Sequence, residues 1–258
     1  MRTVLLIGVG AGDPDYVTVQ AVKALNRVDV FFVIEKGAEK DDLIELRRRI
    51  LSDHVPGGGY RVVEARDPER ERVGLDGVAY RATIEQWHED RTDIYERLVG
   101  GLGDGEVGAF LVWGDPALYD GTMRILDRVT ARGSVAFETE VIPGVSAISA
   151  LTAGHRIPLN RIGEPIHITT GRRLGAALVD GALPEGFDNI VVMLDGDLTF
   201  TKLSEPDVTI YWGAYLGTAD EILVAGPVLK VAGEIESVRA EARARKGWIM
   251  DTYLLRRG

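Results

Sequence analysis

The sequence predicts an α/β protein with two domains, an N-terminal domain on a parallel sheet and a C-terminal domain on a mixed sheet. Three observations support this prediction. In the first half of the chain, short apolar runs alternate with segments of helical periodicity, as in parallel sheets. Glycine-rich turns follow several of these runs. Beyond residue 165, strand-like runs follow one another with short connections, which favours antiparallel or mixed pairing.

The N-terminal domain is predicted to span residues 1–160. It begins with TVLLIG, a continuous apolar run typical of a strand buried on both faces. A helix follows with Thr18 as its N-cap, then the strand DVFFVIE and the helix KDDLIELRRRIL. The polar stretch EARDPERERVGLDG is interpreted as a loop, and a long helix is predicted over residues 79–98.

Three predicted strands of this domain end in loops rich in glycine, proline and aspartate. They are TVLLIG, VGAFLVW and VAFETEVI, and in an open parallel sheet the loops at such carboxyl ends build the ligand crevice. The C-terminal domain, residues 165–258, contains the predicted strands NIVVMLD, VTIYWGAYL, EILVAGPV and WIMDTYLL.

Composition excludes several classes of function. The 258-residue chain has no cysteine, which excludes disulfides and thiolate sites and fits a cytoplasmic location. A formal net charge of -10 argues against general nucleic-acid binding. The four histidines lack metal-ligand spacing, so no metal is expected. The N-terminal apolar run is too short for a leader or a membrane span, so no membrane association is expected.

The first loop, GVGAGDPDYVT, admits two interpretations from its residues alone. It could bind a dinucleotide, with Glu35 at the end of the second strand accepting the ribose hydroxyls. Against this, Asp13 stands where GxGxxG needs its third glycine, and a helix starting after Thr18 comes late for a pyrophosphate. A tight turn without any ligand is the second interpretation.

The other two loops carry comparable alternatives. In VWGDPALYDGT, Gly114 allows close backbone approach and Asp115 offers an acceptor, although Asp-Pro also begins helices. In IPGVSAISALTAG, small residues at a helix start leave hydroxyls and amides accessible, although they would equally suit packing on a sheet. Two Gly-Asp-Pro turns at two strand ends favour a shared ligand.

Together these loops resemble those of the tetrapyrrole methylase family, whose members use S-adenosylmethionine. The resemblance covers essentially the whole chain, since VVML and GAYLGTADEIL follow in the family's order. It implies the family's two-domain fold with an active-site cleft between the domains, a homodimer, and a first loop shaped for a sulfonium ligand. KGAEKDDLIELRRRIL, YRATIEQWHEDR and HITTGRRL most resemble the cobalamin-pathway branch that methylates C-1 of precorrin-5 and releases acetate.

Carried over position by position, the resemblance implies a set of cofactor contacts. Apolar Leu118, Ala147 and Met193 would flank the adenine, while Ser146 and backbone amides would hold polar edges. The full predicted set is Pro14, Gly114, Asp115, Leu118, Ser146, Ala147, Met193 and Gly217.

Catalysis divides into two steps with different needs. Methyl transfer depends on orientation and needs no dedicated base. Addition of water to the acetyl carbonyl would be assisted by a carboxylate, a phenol or an imidazole, and Asp115 and Tyr119 are the predicted groups. Glu35 and His88 are further candidates.

Arg172 and Arg173, at the end of a predicted strand, are predicted to bind the carboxylates of an anionic corrinoid substrate. The alternative interpretation is that both arginines are solvated surface side chains that bind no ligand. At the level of function, another methylase of the family, acting on a different precorrin or on uroporphyrinogen, stays open. So do an NAD-dependent oxidoreductase and a protein whose glycine loops serve folding only.

Overall fold

The computed structural model describes the backbone of residues 1–35, 41–68 and 77–258. It divides into two units, Met1–Gly10 with Pro14–Val145, and Ala11–Asp13 with Ser146–Gly258. This division comes earlier in the chain than the predicted boundary at residues 160–165, because the helix after Val145 packs on strands of the second unit.

The sheet of the first unit is parallel throughout, as predicted from the alternation of strands and helices. Its strands are β1 (Arg2–Gly8), β2 (Val30–Glu35), β3 (Arg61–Arg66), β4 (Val107–Val112) and β5 (Phe137–Ile142), in the order β3-β2-β4-β1-β5. Strand β3 runs into the stretch predicted as a loop, and that part of the prediction was wrong. An edge strand with a largely exposed, polar surface gives no apolar run to read.

Helices cover both faces of this sheet. They are α1 (Val19–Leu25), α2 (Asp41–His54), α3 (Gly77–Gly100) and α4 (Thr122–Arg132). Because side chains alternate along a strand, Leu5 and Ile7 pack with α1 and α2, whereas Val4 and Leu6 pack with α3 and α4. Thr18 caps α1 as predicted, its hydroxyl accepting the amide of Ala21 at 3.0 Å.

The sheet of the second unit is mixed, again as predicted. Its strands are β6 (His167–Thr170), β7 (Asn189–Met193), β8 (Val208–Ala214), β9 (Ile222–Pro227) and β10 (Asp251–Arg257), in the order β6-β7-β10-β8-β9. Only β6 and β7 pair in parallel; the other neighbours are antiparallel. Fully buried Trp212 and Tyr253 anchor the core of this unit.

Three helices accompany the second sheet, α5 (Ala147–His155), α6 (Gly171–Ala177) and α7 (Val228–Lys246). The sequence did not predict α7, although it is 19 residues long. Its buried positions include only two large apolar side chains, Val228 and Ile235, so no continuous apolar stripe marks the helix. Within the described ranges, no helix is both long and apolar enough to cross a membrane.

Candidate functional site

The three strand ends of the first unit come together at glycines. A Cβ atom on Gly8 would lie 2.6 Å from the amide nitrogen of Gly144 and 2.9 Å from the carbonyl oxygen of Gly114. A Cβ on Gly144 would collide with that same carbonyl oxygen. The predicted convergence of the three loops is confirmed within this unit, and only glycine fits at these contacts.

The first and second loops are also joined by backbone hydrogen bonds. The amide of Gly114 donates to the carbonyl of Gly10 at 2.8 Å, and the amide of Gly10 donates back at 3.3 Å. Both residues have positive φ, 84° for Gly10 and 68° for Gly114, a conformation that favours glycine. The two loops are therefore held together backbone to backbone, and both glycines are buried.

Asp115 fastens the second loop to the third. Its Oδ2 accepts the amide of Gly144 at 2.9 Å, and its Oδ1 accepts the amide of Ala117 at 2.8 Å. Both carboxylate oxygens are thus engaged by backbone donors. This geometry gives Asp115 a role in holding the loops together; its proposed role as a base stays a prediction.

Leu118 and Tyr119 complete the second loop. The amide of Leu118 donates to the carbonyl of Asp115 at 3.1 Å, which closes a tight turn and leaves the Leu118 side chain half-buried. Tyr119 is held at a φ of 52°, and its side chain is 43% exposed. A residue in an unusual backbone conformation, five positions after Gly114, thus presents its phenol to solvent.

In the second unit, the side-chain hydroxyl of Ser146 caps the N-terminus of α5. Ser146 Oγ accepts the amide of Ser149 at 3.3 Å and lies 3.2 Å from the Ser149 hydroxyl. Ala147, the first residue of α5, is half-buried. The Ser146 hydroxyl therefore has a structural role as an N-cap in addition to its predicted ligand contact.

Residues 11–13 of the first loop belong to the second unit. A Cβ on Gly12 would collide with the carbonyl oxygen of Leu216, so residues 11–13 lie against the turn that contains Gly217. Gly217 has a φ of 76°, and its amide donates to Glu221 at 2.7 Å. Within the second unit, Gly217 therefore lies close to residues 11–13.

Met193 ends β7 and is half-buried, and Leu194 after it has a φ of 55° and is 67% exposed. Arg172 and Arg173 stand at the start of α6, and both are exposed. Neither arginine forms an ion pair within the part of the chain that the structure describes. Their charges are thus available to an anionic ligand.

A buried carboxylate that the sequence analysis missed supports both of these segments. Asp195 is 6% exposed, and its Oδ2 accepts the amide of Thr199 and the hydroxyl of Tyr253, each at 2.6 Å. The same carboxylate packs against Gly171, where a Cβ would collide with it. Burial raises the pKa of Tyr253, and the negative charge of Asp195 raises it further by a smaller amount.

The sequence offers one weak signal for this network. Asp195 follows the strand ending at Met193 by two residues and precedes Gly196, a context typical of a turn. Its partners come from distant parts of the chain and leave no local pattern.

Two further candidates from the sequence, Glu35 and His88, remain to be placed. The side chain of Glu35 lies outside the described residues. His88 is half-buried on α3, and burial together with the positive charges of Arg128, Arg91 and Arg124 lowers its pKa, so its imidazole is neutral near pH 7. Among the described residues, no cluster of histidine, aspartate and glutamate has the arrangement of a metal site.

Comparison with known proteins agrees with this arrangement of loops. Residues 3–232 match the family described as Tetrapyrrole (Corrin/Porphyrin) Methylases. A relative from Sinorhizobium sp, precorrin-6A synthase [deacetylating], is 50% identical over 100% of this chain and 96% of its own length. A solved structure of a cobalamin synthesis related protein (CobF) from Corynebacterium diphtheriae is 35% identical, with a TM-score of 0.84, covering 100% of this chain and 99% of that one.

A more distant solved structure shares the fold alone. It is uroporphyrin-III C-methyl transferase from Thermus thermophilus, complexed with S-adenyl homocysteine. It is 18% identical, with a TM-score of 0.57, and the match covers 98% of this chain and 91% of that one.

Proposed function

Because the chain belongs to the tetrapyrrole (corrin/porphyrin) methylases, we propose that it methylates C-1 of precorrin-5 and releases the acetyl group as acetate, giving precorrin-6A. One observation carries the choice within the family. The chain is 50% identical, from end to end, to a precorrin-6A synthase [deacetylating]. The other named methylases of this pathway align with it at lower identity and over less of its length.

We propose S-adenosylmethionine as the methyl donor, and the residues present suit it. Gly8, Gly114 and Gly144 bring the ends of the three loops together at points where a Cβ would collide, and none of the residues proposed below is a cation that would hold a pyrophosphate. A relative of the same fold was solved with S-adenyl homocysteine, the demethylated form of this cofactor. The residues proposed to hold it are Pro14, Gly114, Asp115, Leu118, Ser146, Ala147, Met193 and Gly217.

The cofactor supplies an electrophilic methyl group on a sulfonium. For that step the protein has to fix the reacting carbon in line with the methyl group, and orientation of this kind can supply most of the rate. The hydrogen bond from Gly144 to Asp115 and the paired amides of Gly10 and Gly114 keep the loop backbones in a fixed arrangement. We assign these contacts to positioning.

Deacetylation needs water to add to the acetyl carbonyl. The bond from C-1 to the acetyl carbon then breaks, its electron pair stays on the macrocycle, and acetate is released. Of the candidate groups, Tyr119 has an exposed side chain in the loop that contains Gly114. Asp115 already accepts two backbone hydrogen bonds. We therefore propose Tyr119 as the side chain that assists water addition, through a hydrogen bond to the carbonyl oxygen or to the water.

We propose that Arg172 and Arg173 bind carboxylates of the substrate. Both are exposed at the start of α6 without an ion pair among the described residues. Replacing both with alanine should weaken substrate binding and leave S-adenosylhomocysteine affinity unchanged. Arg243→Ala, at another exposed arginine of the second unit, is the matched control.

The decisive test of function uses enzymatically prepared precorrin-5 and S-adenosylmethionine. Stoichiometric formation of methylated corrinoid and acetate supports the proposal. Calorimetry with S-adenosylmethionine and with NAD distinguishes it from the oxidoreductase, since tight NAD binding without S-adenosylmethionine binding would contradict it. A cytoplasmic location and a homodimer remain parts of the proposal, and light scattering in solution tests the second.

A further inference from the structure

Arginines from two helices of the first unit come together where the second loop ends. A Cβ atom on Gly121, the residue before α4, would lie 3.8 Å from Nη1 of Arg91 and 3.9 Å from Nη2 of Arg124. Arg91 comes from α3 and Arg124 from α4. Two guanidinium groups from different helices therefore flank one glycine, only a few residues beyond Leu118 and Tyr119.

Arg91 is a rigid member of this group. It is 8% exposed, and its Nε lies 2.9 Å from Oδ1 of Asp67. Its guanidinium lies 4.8 Å from the ring centre of Trp87 and 5.7 Å from that of Tyr95. Held by an ion pair and two aromatic rings, it presents Nη1 toward Gly121 with little freedom to move.

Arg124 differs from the other arginines of α4. Arg128 and Arg132 are neutralised by carboxylates along α3, whose members are Glu85, Glu89, Asp93 and Glu96. Arg124 lies nearer the loop, is exposed, and forms neither an ion pair nor a hydrogen bond with residues in the described ranges. A helix that pairs its distal arginines and leaves the loop-proximal one unpaired keeps a positive charge beside the loop.

The same arginines act on His88 of α3. Burial lowers the pKa of His88, and the positive charges of Arg128, Arg91 and Arg124 lower it further, against the opposing effect of Glu85.

The acids that face this group already have partners. Asp67 is paired with Arg91, Glu85 is paired with Arg128, and Oδ1 of Asp120 accepts the amide of Thr122 at 2.7 Å. Asp67 and Glu85 are therefore paired with arginines other than Arg124, and the charge of Asp120 acts on Arg47. A bound anion would therefore pair with the guanidinium of Arg124, which has no ion pair among the described residues.

We propose that Arg124, together with Arg91, binds a carboxylate side chain of the tetrapyrrole substrate. The inference rests on the proposed function for the class of ligand, and it adds a second set of cations to Arg172 and Arg173. A protein with a net charge of -10 repels a polycarboxylate at long range, so local arginines must supply the attraction. Guanidinium groups suit this task because they bind carboxylates through two parallel hydrogen bonds.

The test measures binding of uroporphyrin, a stable tetrapyrrole polycarboxylate, and of its methyl ester, by quenching of tryptophan fluorescence. Arg124→Gln should weaken uroporphyrin binding by about tenfold, the loss expected for a charged hydrogen bond. Arg124→Lys should recover part of that loss. The affinity for S-adenosylhomocysteine should stay unchanged in both variants, and the methyl ester should bind the wild type weakly.

The matched control is Arg48→Gln, which removes one exposed positive charge from α2 beside Arg47. It should bind uroporphyrin like the wild type. The inference is overturned if Arg124→Gln binds uroporphyrin as tightly as the wild type, if Arg48→Gln weakens binding equally, or if the ester binds as well as the acid.

Failure of the proposed function has a separate signature. Wild-type protein that binds uroporphyrin through Arg124 but neither methylates precorrin-5 nor releases acetate would contradict the function and leave the carboxylate site standing. Wild-type protein that carries out the reaction while Arg124→Gln binds and reacts normally would contradict the site and leave the function standing.

Discussion

Oδ2 of Asp115 accepts the backbone amide of Gly144 at 2.9 Å and so joins the loop after β4 to the loop after β5. Those two loops are separated by 29 positions in the sequence, and β1 lies between their strands in the sheet. A single carboxylate thus fixes the relative position of two loops proposed to contact the cofactor.

Replacing Asp115 by asparagine tests whether this residue positions the loops or acts as a base. Asparagine keeps one acceptor and loses the charge, so we expect a loss of about 1–2 kcal/mol in stability and weaker S-adenosylhomocysteine binding. Calorimetry and urea unfolding measure the two effects. Asp127→Asn, at an exposed aspartate on α4, is the control. Unchanged cofactor affinity with abolished acetate release would instead indicate a base.

Gly144→Ala tests the close approach of the loop backbones. Its methyl group would collide with the carbonyl oxygen of Gly114, so the loops must separate and cofactor binding should be lost. Gly57→Ala is the control, because a Cβ there meets nothing within 4 Å. Both variants should keep wild-type far-UV circular dichroism. Normal cofactor affinity in Gly144→Ala would contradict the assignment of the site. Gly114→Val is a less direct test, because a φ of 68° disfavours valine at that position even without a ligand.

Tyr253→Phe tests the buried network around Asp195. Loss of the hydroxyl should cost about 1–2 kcal/mol at pH 7, since Asp195 loses one of its donors. The pKa of Tyr253 is raised above its ordinary value of 10.0, so the unfolded state ionises first and the wild type loses stability as the pH rises past 10. The phenylalanine variant lacks this loss. Urea unfolding at pH 7 and above pH 10 measures the difference, which should shrink at the higher pH.

His88→Gln tests the electropositive surroundings of α3. The pKa of His88 is lowered from 6.5, so the unfolded state takes up its proton before the folded state does. Wild-type stability should therefore fall as the pH drops below 6.5, and the glutamine variant should lose less over the same interval. Thermal unfolding at pH 7.5 and pH 5.5 compares them. Equal losses would show that His88 titrates normally.

The sequence predicts those parts of the fold that depend on local patterns. Continuous apolar runs identified β1, β2 and β4, and the hydroxyl of Thr18 identified the start of α1, because burial on both faces and capping leave marks within a few residues. Strand β3 was missed because an exposed edge strand needs no apolar run. Helix α7 was missed because its contacts include a buried arginine, Arg239, paired with Asp251 at 2.8 Å.

The candidate site likewise contains features that leave a local sequence pattern and features that do not. Glycine-rich loops are visible in the sequence because glycine is needed where backbones approach, as at Gly8 and Gly144. The role of Asp195 is not visible, since its partner Tyr253 is 58 positions away. The group around Gly121 is likewise assembled from separate helices, and neither Arg91 nor Arg124 carries a local motif.

The central claim is that the protein couples methylation of C-1 to release of acetate. The measurement that tests it most directly follows the transferred methyl group and the released acetyl group in one reaction. Precorrin-5 is incubated with the protein and S-adenosylmethionine labelled with ¹³C in the methyl group, and the corrinoid and the acetate are quantified by NMR. We predict one labelled methyl group at C-1 for each unlabelled acetate released. A labelled corrinoid that keeps its acetyl group, or acetate release without label in the corrinoid, would contradict the account.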